Sequence, residues 1–132
     1  MNKFRKVAKK ISTLVLAGAM VVGTSIFALA DGGEAYCGST KVWYTATATE
    51  GYAGGEVATS DTCDIEVKGT ADYYDIWGES GIANFSNSVS QTTVCSAYQV
   101  NGKRAYSNAN VYFYACNNDG DEWSDALFNV ND

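Results

Sequence analysis

Histidine and proline are both absent from the sequence. Without an imidazole there is no Ser-His-Asp or Cys-His relay and no histidine-ligated metal. Without proline, a proline-containing cell-wall sorting motif is excluded. Cysteine is sparse, at positions 37, 63, 95 and 116, and no two stand in C-x-x-C spacing. A cysteine-only zinc site is therefore disfavoured. Basic residues nearly vanish after Lys10: Lys41, Lys68, Lys103 and Arg104 stand against all fifteen acids, so residues 31–132 carry a formal charge of −11. Such a chain lacks the basic patches that neutralise phosphate, which argues against nucleic acid and anionic membranes as partners. It suits a protein kept soluble outside the cell.

What is present begins with a targeting signal. Residues 1–10 hold five bases, an apolar run follows from Ile11 to Phe27, and Ala28-Leu-Ala30 makes an A-x-A cleavage site. This predicts a secretory signal peptide over 1–30 and a single secreted domain over 31–132. The apolar run is broken by Ser12, Thr13, Gly18 and Gly23, too often for a membrane span, and no later run is long enough for one. The mature chain is expected to be released to the exterior.

Four cysteines in a small secreted domain predict two disulfides. Asn101-Gly102, set between Gln91–Val100 and Lys103–Cys116, reads as a type I′ hairpin turn with positive φ at both residues. In that register Val94 faces Ala109, Thr92 faces Val111, and Cys95 lies too far along its strand to reach Cys116. The pairing expected is Cys37 with Cys116 and Cys63 with Cys95. Cys37 with Cys95 and Cys63 with Cys116 is the alternative.

Alternating apolar residues mark further strands at Thr40–Thr49 and Glu56–Val67, a short aromatic one at Thr70–Trp77, and weaker ones at Ile82–Ser90 and Trp123–Val130. In the first, Val42, Tyr44, Ala46 and Ala48 form the core face; in the last, Ala126, Phe128 and Val130 share a face. No stretch has a helical period. The fold class expected is all-β: a small antiparallel sandwich or barrel of about six to eight short strands, stapled by two disulfides. In style the chain looks like small Gly-, Ala-, Ser-, Thr- and Tyr-rich secreted β-proteins of Gram-positive type, without a diagnostic motif.

Aromatics carry the functional signal. Three tryptophans, nine tyrosines and three phenylalanines in residues 31–132 exceed the needs of so small a core. Exposed rings mark recognition sites. Trp43, on the threonine face of its strand, and Tyr73, Tyr74 and Trp77, beside the Gly78 turn, are the candidate binding residues. The reading favoured is a secreted, non-enzymatic protein with no cofactor that binds a surface glycan or a protein. An antimicrobial, bacteriocin-like toxin is the alternative, disfavoured by the acidic charge. A small glycosidase using Asp61, Asp64 and Glu66, or Asp72, Asp75 and Glu79, is third. The oxygen-rich run Asn117–Asp125 resembles a calcium loop in density, but Ala115 and Ala126 occupy the two anchoring positions of that template.

Overall fold

A computed structural model describes residues 31–131. The expected leader and Asp132 lie outside the described residues. The chain forms one antiparallel sheet ordered β1 (Asp31–Cys37), β2 (Thr40–Asp75), β3 (Ser80–Asn117) and β4 (Glu122–Val130). It curls into a half-barrel with no helix among the described residues. The all-β expectation holds, but the strand count does not. Two of the four strands run for 36 and 38 residues, because the ladder carries on through bends and bulges, including those at Gly51 and Asn108, where positive φ relieves the pleat.

One such bend is at Gly51 (φ 91°), after which the chain doubles back. Thr40 Oγ1 thereby donates to Asp61, and the Lys41 N–H to Ser60 Oγ. Beyond Cys63, β2 is sandwiched between both halves of β3: Lys68 pairs with Ser86 on one side and Tyr112 on the other. β4 then adds along 109–116.

The predicted 91–116 hairpin is corrected by these pairings. Val111 is flanked by Gly69 and Leu127, so no edge remains for Thr92. Residues 94–100 instead pair with 52–58. Gly102 does not adopt a positive φ, and the Lys103 N–H donates to the Asn101 side chain. Asn108 does have positive φ (49°). Its extra residue flips the phase of the strand, so that Tyr106 faces the core, then Ala109, Val111 and Phe113 do, while Tyr112 turns outward. Asn129 (φ 54°) acts similarly in β4: Leu127 and Val130 are buried and Phe128 is exposed.

The expected core face of the first strand, Val42, Tyr44, Ala46 and Ala48, is buried, but so are Thr45 and Thr47 of the opposite face. Curling brings Tyr44 against Phe113 and Trp123, with ring centroids 5.2 and 5.0 Å away. Its hydroxyl donates to Asp125 at 2.5 Å. Burial, then that bond and charge, push the phenol well above its ordinary pKa.

The two disulfides are likewise corrected: all four cysteines are free thiols. Cys37 and Cys63 are buried on the interior side, while Cys116 follows the outward phase of Tyr112 and Tyr114. Cys95 is held farther along, its thiol against the Asn87 carbonyl, opposite Val67. Val67 is four residues from Cys63, about 13 Å of strand, so Cys63 and Cys95 do not meet. Burial raises the Cys37, Cys63 and Cys95 thiols above their ordinary pKa, which leaves them protonated and poor nucleophiles.

Candidate functional site

Two turns of the molecule share one construction. In the first, the Asp75 N–H donates to the Glu79 carbonyl (2.8 Å) and the Gly78 N–H to the Asp75 carbonyl (3.1 Å). Asp75 Oδ1 accepts from the Trp77 and Glu79 N–H groups, both at 2.9 Å. In the second, Asn117 takes the part of Asp75. Its N–H donates to the Asp121 carbonyl (3.0 Å) and its carbonyl accepts from Gly120 (3.1 Å). Its Oδ1 accepts from Asp119 at 3.0 Å and Asp121 at 2.9 Å. Gly78 and Gly120 supply the left-handed residue that such hairpin loops require, at φ 82° and 84°.

The framework leaves two tip positions unspecified. One turn fills them with Asn118-Asp119, ordinary polar turn residues. The other fills them with Ile76 and Trp77, which are 67% and 66% exposed. Folding does not demand this pair, since the sister turn forms without it.

Around Ile76 and Trp77 the surface is organised. Tyr74, in the outward phase of β2, is 60% exposed. The Ile76 N–H donates to the Lys103 carbonyl at 3.0 Å, tying the turn to the 101–103 bend. Lys103 Nζ lies 5.1 Å above the Trp77 ring, and the Arg104 guanidinium 3.7 Å above Tyr73. Half the basic residues of the 31–132 region therefore sit at this tip. Tyr74, Ile76, Lys103, Arg104, Glu50 and Asp75 line a shallow groove of about 280 Å³. Apolar rings flanked by donors and acceptors can stack on a ligand and bond its edge together.

Of the four residues singled out from sequence, Tyr74 and Trp77 stand at this tip as accessible rings. Tyr73 is half-buried, packed on Tyr106 at 6.4 Å beneath Arg104, so it supports the tip from below. Trp43 is elsewhere: it pairs with Glu34, is half-buried, and has Lys41 5.4 Å over its ring. Ile76, Lys103 and Arg104 were not singled out. The signal that finds Ile76 is the Asp-x-x-Gly spacing of 75–78, matched by Asn-x-x-Gly at 117–120, whereas Lys103 and Arg104 reach the tip from a bend distant in sequence.

Five of the six carboxylates proposed for catalysis have separate employment. Asp61 accepts from Thr40, Asp64 from Gln91, and Asp72 from Asn108. Glu66 lies 3.7 Å from Lys68, and Asp75 builds its turn. Glu56 is only 1% exposed with neither carboxylate oxygen hydrogen-bonded, and burial raises it to about 8. It is thus protonated at neutral pH, and it lies away from the tip groove. In the acidic loop, the Asn117 amide donates to the Cys37 carbonyl and to Asp121. Among the described residues no three His, Cys, Asp or Glu side chains converge on a metal position. No helix there is long and apolar enough to cross a membrane.

Comparison with protein-family models, curated proteins and solved structures finds no match. The site therefore rests on its geometry alone.

Proposed function

We propose that this chain is a secreted, non-enzymatic binding protein that holds a surface glycan on the Tyr74–Ile76–Trp77 tip. The observation that carries the reading is the pair of matched turns, one of which displays apolar side chains that its framework does not need. A glycan fits the tip better than a protein does. The exposed rings are few and lie among Glu50, Asp75, Lys103 and Arg104, whereas the centre of a protein interface is depleted in charged residues.

The test is retention on insoluble glycans and cell-wall fractions at low and high salt. Stacking is only weakly screened, so wild-type protein is expected to stay bound as salt rises, and Trp77→Ala to be released. Retention that survives Trp77→Ala but is lost in high salt would overturn the reading and assign binding to the acidic faces. Capture by a protein ligand that soluble glycan does not compete away would assign the tip to a protein.

A further inference from the structure

Past Cys63, β2 alternates strictly, and its outward residues are Asp64, Glu66, Lys68, Thr70, Asp72 and Tyr74. The row is ten residue steps long, about 33 Å at roughly 3.3 Å each. Its far end, Tyr74, lines the aromatic tip groove.

Three furrows lie along this row and share lining residues, two on the Ser86–Ser88 side of Tyr112 and Tyr114 and one on the Ser124–Ala126 side. The first, about 150 Å³, runs between Asp64, Glu66 and Tyr114. The second, about 410 Å³, continues past Glu66 and Lys68 against Tyr112 and Tyr114. The third, about 410 Å³, shares Lys68 and Tyr112 with the second and passes Thr70, Asn84 and Ser86. Register explains the furrows. Tyr114 and Tyr112 stand beside Glu66 and Lys68, whereas the flanking strands place Ser88 and Ser86 on one side and Ser124 and Ala126 on the other. Large side chains down the middle and small ones beside them leave channels along the strand direction. The floor is rigid, because the chain beneath it is paired on both edges. Tyr112 is 46% exposed and wedged edge-on against Phe128, centroids 5.7 Å apart. The Tyr114 hydroxyl is turned aside onto Glu122 at 2.6 Å.

We infer that this row is a track for a linear glycan without anionic groups, which continues from the tip along the outer face. The inference rests on the tip reading and extends it. Tyr112 and Tyr114 offer ring faces for stacking, and Thr70, Asn84 and Ser86 offer alternating donors and acceptors for hydroxyls. Asp64, Glu66 and Asp72 outnumber Lys68 in the row, so the track repels polyanions and accepts uncharged or amine-bearing sugars. Charged residues break up the apolar area, so no dry centre for a protein partner exists here.

The test measures affinity for chito-oligosaccharides and cello-oligosaccharides from the disaccharide to the hexasaccharide. Wild-type affinity is expected to climb with chain length. Tyr112→Ala should remove most of that climb, a loss of about three- to tenfold for the longest sugar, the effect of one stacking contact. Ser86→Lys, an exposed substitution that fills the third furrow without touching the core, should do the same, which guards against a folding defect in the tyrosine variant. Trp77→Ala should weaken all lengths alike. Affinity that is independent of length and unchanged by Tyr112→Ala and Ser86→Lys overturns the track while leaving the tip reading intact. No binding of any oligosaccharide overturns both, and tighter binding of heparin than of the uncharged sugars overturns the track's ligand chemistry.

Discussion

The turns at 75–79 and 117–121 are built from the same four hydrogen bonds and the same glycine, yet they serve opposite ends of the design. Asn117 is buried and faces inward. Its amide reaches the Cys37 carbonyl, Thr40 and Asp121, so that turn fastens β1 and the start of β2 to the end of β3. Asp75 makes the turn and nothing further inward, and the tip beyond it is open, carrying Ile76 and Trp77. One backbone device thus does structural work in one place and display in the other. The difference lies in the side chains that the framework leaves free.

Substitution of the two Asx residues should expose this division most strongly. Asn117→Ala removes an acceptor and a donor from a buried network, and buried groups left unpaired cost about 1–3 kcal/mol each. Roughly 3 kcal/mol of stability is the expected loss by denaturant unfolding. Asp75→Ala removes only exposed bonds and should cost about 1 kcal/mol, while weakening glycan retention by loosening the tip. Equal losses would mean that the two turns are not divided as described.

The glycines should behave alike where the Asx residues differ. Gly78→Val and Gly120→Val each place a Cβ in the left-handed region, at about 1–2 kcal/mol. Neither position adds a close clash: open space surrounds Gly120, and the nearest atom to a Cβ at Gly78 is the Tyr74 hydroxyl at 3.5 Å. Gly102→Val is the control with the smallest effect. That residue lacks positive φ and its added Cβ meets nothing within 4 Å, so thermal unfolding should be unchanged within about 0.5 kcal/mol.

Gly102 also marks where the sequence misleads. Asn-Gly is a strong local signal for a hairpin, but the pairing of Val111 with Gly69 and Leu127 is a long-range choice that no local pattern contains. The inward phase of Val42, Tyr44, Ala46 and Ala48 is legible because that run has no bulge. The outward turn of Tyr112 is not, since it depends on Asn108 adopting positive φ, which any asparagine in a strand could do or decline. Cysteine count suggested staples, yet bridging depends on which face each thiol takes, and the phase flip at Asn108 sets that for Cys116. The aromatic tip was half legible: Trp77 and Tyr74 stand out beside a glycine, but Lys103 and Arg104 arrive from a bend distant in sequence.

The central claim, that Ile76 and Trp77 serve binding and not folding, is tested by giving one turn the tip of the other. The double variant Ile76→Asn, Trp77→Asp carries the residues that the 117–121 turn already accommodates. Its migration should be followed by affinity electrophoresis through gels cast with and without cell-wall polysaccharide, beside its thermal unfolding. The account predicts a stability within about 0.5 kcal/mol of wild type, with retardation of the wild-type protein and none of the variant. A variant that is retarded as strongly as wild type, or one that fails to fold, would contradict it.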